Sequence, residues 1–164
     1  MDNKFIYLDN ASTTPLSKNV LKKINFSYKN YWNNSSSTYR KGIKCATYLE
    51  KLRLKIAETF KADAEDIIFT SGSSESTSIV FSNLADKYNT GRIVISKVEH
   101  QATIISANKL KRKGWEIYEW PVNKEGIICI SEIDQFIKKN TTLVSLIWGQ
   151  SEIGSLQPVQ FVGN

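Results

Sequence analysis

A serine-rich turn, FTSGSSESTSIV at residues 69–80, carries residue types that bind small anions. Gly72 permits a backbone geometry closed to other residues, and the amides of Ser73 and Ser74 would point out of the start of the following helix. A phosphate group is the natural ligand of such a turn, and an ordinary serine N-cap is the structural alternative. No lysine follows in the G-x-x-x-x-G-K-[ST] pattern, which argues against a nucleoside triphosphate loop.

The single histidine of the chain, His100, lies in a second polar segment, SKVEHQATI at residues 96–104. This segment follows directly after the apolar run IVIS. An imidazole at such a place is able to stack on a flat heterocycle and to move protons near neutral pH. A polar surface histidine is the structural alternative.

A third polar segment, LIWGQSEIGSLQP at residues 146–158, follows the last strand-like run of the chain. It offers the side chains of Gln150, Ser151 and Glu152. Ligands of parallel α/β sheets collect beyond the carboxyl ends of the strands, at the turns that open the next helices. We therefore expect the three segments to meet at one rim of a sheet.

Short apolar runs alternate with helix-like stretches and position these segments. Four runs rich in β-branched or aromatic residues predict strands covered on both faces, at residues 67–70, 93–96, 117–120 and 143–147. Helical spacing predicts one helix from Leu16, with Pro15 in its first turn, another from Cys45, and three more between the strands. The fold class is therefore α/β, with a parallel-type sheet and crossover helices.

The helix stripes between the strands are specific predictions of which side chains face the core. The expected apolar positions are Val80, Leu84 and Tyr88 in the first helix, Ile104, Ile105 and Leu110 in the second, and Ile133, Phe136 and Ile137 in the third. We divide the chain into an N-terminal segment with a helix and a loop, residues 1–44, and a large domain, residues 45–164.

Composition limits the function classes. The formal charge is +6, but the cations are scattered, so no specific nucleic-acid partner is predicted and weak, salt-sensitive binding is the most expected. Cys45 and Cys129 fit neither a disulfide framework nor a metal spacing, and one histidine leaves no imidazole partner, so no metal site is predicted. A secretory signal and a membrane-length apolar stretch are both missing, which favours a cytoplasmic protein with no membrane partner.

Five sequence blocks resemble the cysteine desulfurases, a family within the class V aminotransferase group of pyridoxal-phosphate enzymes. They occur in the family's order and at about its spacing: IYLDNASTTPL, NNSSSTYRKGIKCA, IIFTSGSSESTSIV, SKVEHQATI and VSLIWGQSEIGSLQPV. The resemblance implies pyridoxal 5'-phosphate as cofactor and the amino-terminal portion of an incomplete fold type I large domain, preceded by a helical segment. It also implies that Ser73 and Ser74 contact the cofactor phosphate, and that His100 stacks on the pyridine ring and is the catalytic proton carrier.

The chain also departs from the family pattern. Ser151 replaces the amide that contacts the phenolic oxygen of the cofactor, and its shorter hydroxyl implies a weaker or water-bridged contact. The family's aspartate for the pyridine nitrogen, Schiff-base lysine and persulfide-forming cysteine all lie downstream of the QP block, and none of the lysines here resembles the Schiff-base motif. Cys45 and Cys129 are interpreted as buried structural thiols.

The resemblance thus implies the amino-terminal part of a cysteine desulfurase, which converts cysteine to alanine and an enzyme persulfide during sulfur mobilisation and iron–sulfur cluster assembly. Without the Schiff-base lysine, we expect the chain to be inactive alone and to need a second chain. The expected partners are cysteine as substrate, a second copy or a complementary desulfurase chain, and a sulfur-acceptor protein. A non-catalytic binding or assembly module and a truncated remnant of the family are the alternatives.

Overall fold

The computed structural model describes residues 6–163 of the chain. It separates into two compact units, one ending at Phe69 and one beginning at Thr70. The elements, in chain order, are α1 (Lys18–Asn30), α2 (Arg40–Phe60), a 3₁₀ helix (Ala64–Asp66), α3 (Ser73–Lys87), β1 (Arg92–Ser96), α4 (Gln101–Lys111), β2 (Glu116–Trp120), a second 3₁₀ helix (Ile130–Glu132), α5 (Ile133–Phe136), β3 (Thr141–Ser145) and α6 (Val159–Gly163). The predicted domain boundary between residues 44 and 45 falls inside α2 and stays a prediction.

The amino-terminal unit contains α1 and α2. Ser17 caps α1, where its hydroxyl accepts a hydrogen bond from the Val20 amide at 3.3 Å. The rings of Tyr31 and Tyr48 stack with their centroids 3.9 Å apart, which joins the end of α1 to α2. Both predicted helices are present, but α1 begins at Lys18, so Pro15 lies before it rather than in its first turn, and α2 begins earlier in the sequence than predicted.

The strand predicted at residues 67–70 is wrong, because this segment has no regular secondary structure. Arg53 of α2 explains the difference. Its guanidinium donates a hydrogen bond to the Ile67 carbonyl oxygen and lies 4.8 Å from the centroid of the Phe69 ring. The Arg53 side chain thus occupies the Ile67 carbonyl oxygen, to which a neighbouring strand would otherwise donate a hydrogen bond. Ile68 is 69% exposed, whereas the prediction placed it in a strand covered on both faces.

The carboxyl-terminal unit is built on a three-stranded parallel sheet with the order β2-β1-β3. β1 is the central strand, and all five of its residues are buried. β3 ends two residues earlier than the predicted strand at 143–147. The reason is that the Ile147 amide donates to the Glu99 carboxylate at 2.5 Å rather than to a strand. The other two strands and the parallel pairing are confirmed.

Two apolar clusters lie on the two faces of this sheet. Alternation along β1 sends Ile93 and Ile95 to the cluster that also contains Phe81, and Val94 to the cluster that contains Trp120. α3 and α4 pack against each other beside the first cluster. The second cluster gathers side chains from the segment after β2, from β3 and from α6.

The predicted helix stripes are right only in part. Leu84 and Leu110 pack on the first cluster, whereas Val80, Tyr88 and Ile105 are exposed. The aromatic ring of Phe81, one position after Val80, occupies the core instead, and this rotates the buried face of α3 by one residue. The third stripe is confirmed, since Ile133, Phe136 and Ile137 all pack on the second cluster.

The two cysteines differ in burial. Cys45 is buried in α2, as predicted for a structural thiol. Cys129 is only half-buried, because it lies in the turn before the second 3₁₀ helix rather than in a strand of the sheet. Both are free thiols.

Trp120, the last residue of β2, is the largest fully buried side chain. Its ring stacks on Phe136 with the centroids 5.4 Å apart and the planes inclined by 15°. Its indole Nε1 has no hydrogen-bond partner within residues 6–163. Such an unpartnered donor costs on the order of 1–3 kcal/mol, so this ring contributes through apolar packing alone.

We expect Trp120→Ala to lower the free energy of unfolding by about 3–5 kcal/mol, because it empties the centre of the second cluster. Trp120→Phe keeps a ring on Phe136 and removes the unpartnered donor, so its loss should be at most about half as large. Urea denaturation followed by far-ultraviolet circular dichroism measures both values. Equal losses in the two variants would contradict this account of the ring.

Candidate functional site

The start of α3 presents free hydrogen-bond donors. Gly72 precedes the helix with a φ of 157°, and no atom lies within 4 Å of the place where a Cβ would stand. No side chain caps this helix start. The hydroxyls of Ser73 and Ser74 are exposed and make no hydrogen bond within the described residues. Backbone amides in the first turn of a helix have no intrahelical acceptor, so this end of α3 is suited to an anion.

Hydrogen bonds inside the turn hold this start in place. The hydroxyls of Thr70 and Ser76 are 2.9 Å apart, and each lies 3.2 Å from the Gly72 carbonyl oxygen, so two hydroxyl protons serve these three contacts. The Glu75 carboxylate accepts from the Ser71 amide at 2.6 Å. This backbone hydrogen bond, with help from the Ser71 hydroxyl, lowers the pKa of Glu75 from its ordinary value of 4.5.

His100 caps α4. Its Nδ1 accepts a hydrogen bond from the Ala102 amide at 3.1 Å, and its carbonyl oxygen accepts from the Thr103 amide at 2.9 Å. A neutral imidazole that accepts at Nδ1 carries its proton on Nε2. The ring is exposed, and Nε2 makes no hydrogen bond within the described part of the chain. His100 therefore offers one donor nitrogen and a flat ring to a ligand.

Ser151 lies in a loop that returns on itself between β3 and α6. Gly149 and Leu156 form an antiparallel bridge at the base of this loop. The Gln150 side-chain oxygen accepts from the amides of Glu152 and Ile153 at 2.7 and 2.8 Å. Gln150 is therefore engaged in its own turn, whereas the Ser151 hydroxyl is exposed and has no hydrogen-bond partner within residues 6–163.

The four predicted site residues lie at three places in the carboxyl-terminal unit: Ser73 and Ser74 begin α3 just after one loop, and His100 and Ser151 lie in two others. Two of these loops follow the neighbouring strands β1 and β3, while the loop before α3 follows no strand. The predicted rim of three strand ends is therefore wrong for the segment before α3. Within the described residues, no hydrogen bond, ion pair or ring contact joins any two of Ser73, Ser74, His100 and Ser151.

Two polar residues without a predicted role organise these loops. Glu99 accepts hydrogen bonds from the Ser96 hydroxyl at 3.1 Å and from the Ile147 amide at 2.5 Å, so it ties the loop after β1 to the loop after β3. Gln157, only 3% exposed, donates to the Gly126 carbonyl oxygen at 2.6 Å and accepts from the Ile128 amide at 3.0 Å. Spacing in the sequence gives no signal for either, because the backbone groups that they bind lie 29 to 48 residues away.

Residues 6–163 contain no group of three or more His, Cys, Asp or Glu side chains arranged to hold a metal ion. Among the helices that the structure describes, none has the length and apolar character needed to cross a membrane.

The Glu75 hydrogen bond predicts a pH dependence. Because the folded-state pKa lies below the unfolded one, the carboxylate stabilises the fold above the unfolded pKa, and this contribution disappears as the pH falls through the folded value. Glu75→Gln should therefore be less stable than the unsubstituted chain at pH 7, and the difference should shrink as the pH falls below the ordinary pKa of 4.5. Urea midpoints across this pH range test it, with Glu125→Gln as a control whose side chain makes no hydrogen bond in the described structure. A difference for Glu75→Gln that grows in acid would have the wrong sign.

The cap at His100 predicts a separable structural role. His100→Ala should cost about 1 kcal/mol of stability, because the Ala102 amide loses its acceptor. His100→Asn should keep most of the stability, since an asparagine oxygen caps a helix well and yet carries no titratable ring. Thermal and urea unfolding of the two variants measure this. Equal destabilisation by both would show that the cap is not what the imidazole contributes.

Comparison with known proteins identifies the family. The sequence model of the family described as aminotransferase class-V matches residues 6–164. A relative from Dictyoglomus turgidum named cysteine desulfurase IscS is 36% identical over 157 residues, which are 94% of this chain and 40% of that protein. The chain therefore spans two fifths of the length of this relative.

Solved structures agree with the sequence relatives. A structure described as a NifS-like protein superimposes with a TM-score of 0.91 at 28% identity. The superposition covers 96% of this chain and 44% of the chain of the NifS-like protein. Another, described as SspA in complex with cysteine, has a TM-score of 0.87 at 28% identity and covers 96% of this chain and 46% of its own. The predicted α/β fold, as part of a fold type I large domain, is confirmed.

Class V aminotransferases and cysteine desulfurases are pyridoxal-phosphate-dependent enzymes, so the predicted cofactor class is confirmed at the level of the family. The resemblance carried by the five sequence blocks is confirmed as well. From residue 6 onward, the chain belongs to the aminotransferase class-V family and has cysteine desulfurases among its relatives.

Proposed function

We propose that this chain forms the amino-terminal part of the pyridoxal-phosphate site of a cysteine desulfurase, which converts cysteine to alanine and an enzyme persulfide. The observation that carries the proposal is the uncapped start of α3, where the Ser73 and Ser74 hydroxyls and the first-turn amides stand free beside Gly72. A dianionic phosphate suits that place because the amides and the helix dipole both favour negative charge. The family to which the chain belongs supplies the identity of the phosphate ester.

The residues present fit the cofactor in its two parts. Ser73 and Ser74 donate hydrogen bonds to the phosphate. His100 presents a flat ring for stacking, and its Nε2 is the atom that gives or takes a proton, because Nδ1 is engaged by the Ala102 amide. Ser151 makes the weaker polar contact expected from a hydroxyl in place of an amide. When bound, the cofactor supplies the electron sink for the chemistry at the substrate.

Cysteine is the proposed substrate. Relatives of the chain are named cysteine desulfurases, and one similar structure is described as a complex with cysteine. The proposal extends to a cytoplasmic location, to a role in iron–sulfur cluster assembly and to a sulfur-acceptor protein as partner. The mitochondrial and bacterial desulfurases among the relatives support the assembly role.

We propose that a complementary desulfurase chain supplies the groups that complete the site. A homodimer is the alternative assembly. None of the lysines of the chain lies in a block like the family's Schiff-base motif. In the described sheet β3 pairs only with β1, so its other edge is available to further strands. A partner that adds to this edge would also bring the lysine and the persulfide-forming cysteine.

A non-catalytic assembly module of the same family is the second candidate. The segment after β3 exposes four large apolar side chains, which belong to Trp148, Ile153, Leu156 and Phe161. Large exposed apolar side chains become protein interfaces when they form a contiguous patch. A stable complex with an intact desulfurase, formed without bound cofactor, would favour this function.

The 164-residue chain alone should show no desulfurase turnover with cysteine and pyridoxal phosphate, because it offers no Schiff-base lysine. The measurement is sulfide release, compared with the release caused by the free cofactor. Release above that background would contradict the proposal. Purification from the native cells should instead yield a yellow complex, in which mass spectrometry identifies the second polypeptide.

The phosphate contacts are tested by substitution. We expect the double variant Ser73→Ala, Ser74→Ala to bind pyridoxal phosphate at least about tenfold more weakly, since hydrogen bonds to charged groups are among the strong ones. Ser78→Ala, also an exposed serine of α3, is the matched control and should bind like the unsubstituted chain. Titration by absorbance or by NMR measures the affinities. Equal affinity of the double variant and the control would remove the phosphate from the start of α3.

A further inference from the structure

Glu99 makes a contact that links two loops of the candidate site. It directly precedes His100, and it is half-buried. Its Oε1 accepts from the Ser96 hydroxyl at the end of β1 and from the Ile147 amide just after β3. One carboxylate oxygen therefore spans the carboxyl ends of two neighbouring parallel strands.

Each of the two loops is already held by other contacts on its far side. In the loop after β1, the Lys97 amide donates to the Trp120 carbonyl oxygen at 2.9 Å, and the His100 ring is fixed by its own cap. In the loop after β3, the Gln157 amide donates to the Trp148 carbonyl oxygen at 2.8 Å, while the Gln157 side chain is bound to residues 126–128. Within residues 6–163, Glu99 supplies the side-chain hydrogen bond that joins one loop to the other.

We propose that Glu99 is a positioning residue that fixes the separation between His100 and the Ser151 loop. It acts through the Ile147 amide and does not touch the cofactor. The acceptor in this hydrogen bond is a carboxylate, and hydrogen bonds to charged acceptors are stronger than those between neutral groups. Ser151 follows Ile147 by four positions, in a turn stiffened by the Gln150 side chain, so a shift at Ile147 is carried to Ser151. The part of this proposal that concerns the cofactor rests on the proposed function.

The first test needs no cofactor. Hydrogen exchange of the Ile147 amide, read by NMR in the 164-residue chain, should accelerate at least about tenfold in Glu99→Ala, because the amide loses a charged acceptor. Glu99→Gln keeps an acceptor oxygen at the same reach and should stay within about threefold of the unsubstituted chain. Glu119→Ala removes an exposed glutamate on β2 and should change nothing at Ile147. Unchanged protection in Glu99→Ala, or equal loss in Glu99→Gln, overturns the proposal.

The second test adds pyridoxal phosphate as the probe. In the unsubstituted chain and in Glu99→Gln, the amide signals of both His100 and Ser151 should shift during the titration. In Glu99→Ala, His100 should still shift, whereas the shift at Ser151 should fall by at least about half, since its loop is no longer held by the carboxylate. Equal shifts at Ser151 in all variants overturn the positioning role.

Failure of the proposed function gives a different pattern. No shift at either residue in the unsubstituted chain overturns the proposed function and the cofactor part of this proposal, while the exchange rate at Ile147 decides the loop contact by itself. If Glu99→Ala does not fold, Glu99→Asp retains the charge but shortens the side chain by one methylene. It should show the same loss at Ile147 and Ser151, and normal protection there overturns the proposal.

Discussion

The complete burial of β1 is the constraint on which the carboxyl-terminal unit depends. A central parallel strand has no solvated face, so its apolar side chains meet apolar partners, while Arg92 and Ser96 at its two ends make hydrogen bonds. Ile93 and Ile95 meet the pair of helices α3 and α4, and Val94 meets the cluster around Trp120. Because β1 is fixed on both faces, the loop that leaves its carboxyl end is fixed too, and that loop contains Glu99 and His100.

The two helices on the first face of the sheet differ in the capping of their amino-terminal ends. α4 is capped by the imidazole of His100, which accepts a hydrogen bond from the Ala102 amide, so one of the first amides of the helix has a partner within the chain. α3 begins with a glycine and leaves its amides to solvent or to a ligand. Both helices have first-turn amides without an intrahelical acceptor. In α4 a side chain caps one of them and presents a ring, whereas in α3 the amides remain as free donors. A molecule with an anionic tail and a flat ring needs both.

The sequence predicted the elements whose signals are local. Periodic apolar residues located the helices, and β-branched or aromatic runs located β1 and β2. Burial explains the residue types of β1, whereas three of the five residues of β2 are exposed, so β2 is not covered on both faces as predicted. The run at residues 67–70 has a similar composition but forms no strand, because the guanidinium of Arg53 binds the Ile67 carbonyl oxygen. This contact comes from a preceding helix, so no strand pattern reveals it. The buried position of α3 shifted to Phe81 for a similar reason, since the size of a ring decided the packing.

The candidate site was predictable to the extent that it lies in short polar segments next to apolar runs. Ser73, Ser74, His100 and Ser151 were all proposed in this way, and family resemblance gave them their predicted roles. The supporting residues were not predictable, because Glu99 and Gln157 act on backbone groups far away in the sequence. Side chains that satisfy buried backbone groups have no fixed spacing, so only the folded chain identifies them.

The buried amide of Gln157 has a consequence for the chemical ageing of the protein. The side-chain nitrogen donates a hydrogen bond to the Gly126 carbonyl oxygen, and the side-chain oxygen accepts one from the Ile128 amide. A carboxylate has no donor, so it is not able to replace this amide. Spontaneous hydrolysis to glutamate would set a negative oxygen against the Gly126 carbonyl in a place almost closed to water. A single deamidation there would loosen the base of the Ser151 loop without altering any of the predicted site residues Ser73, Ser74, His100 and Ser151.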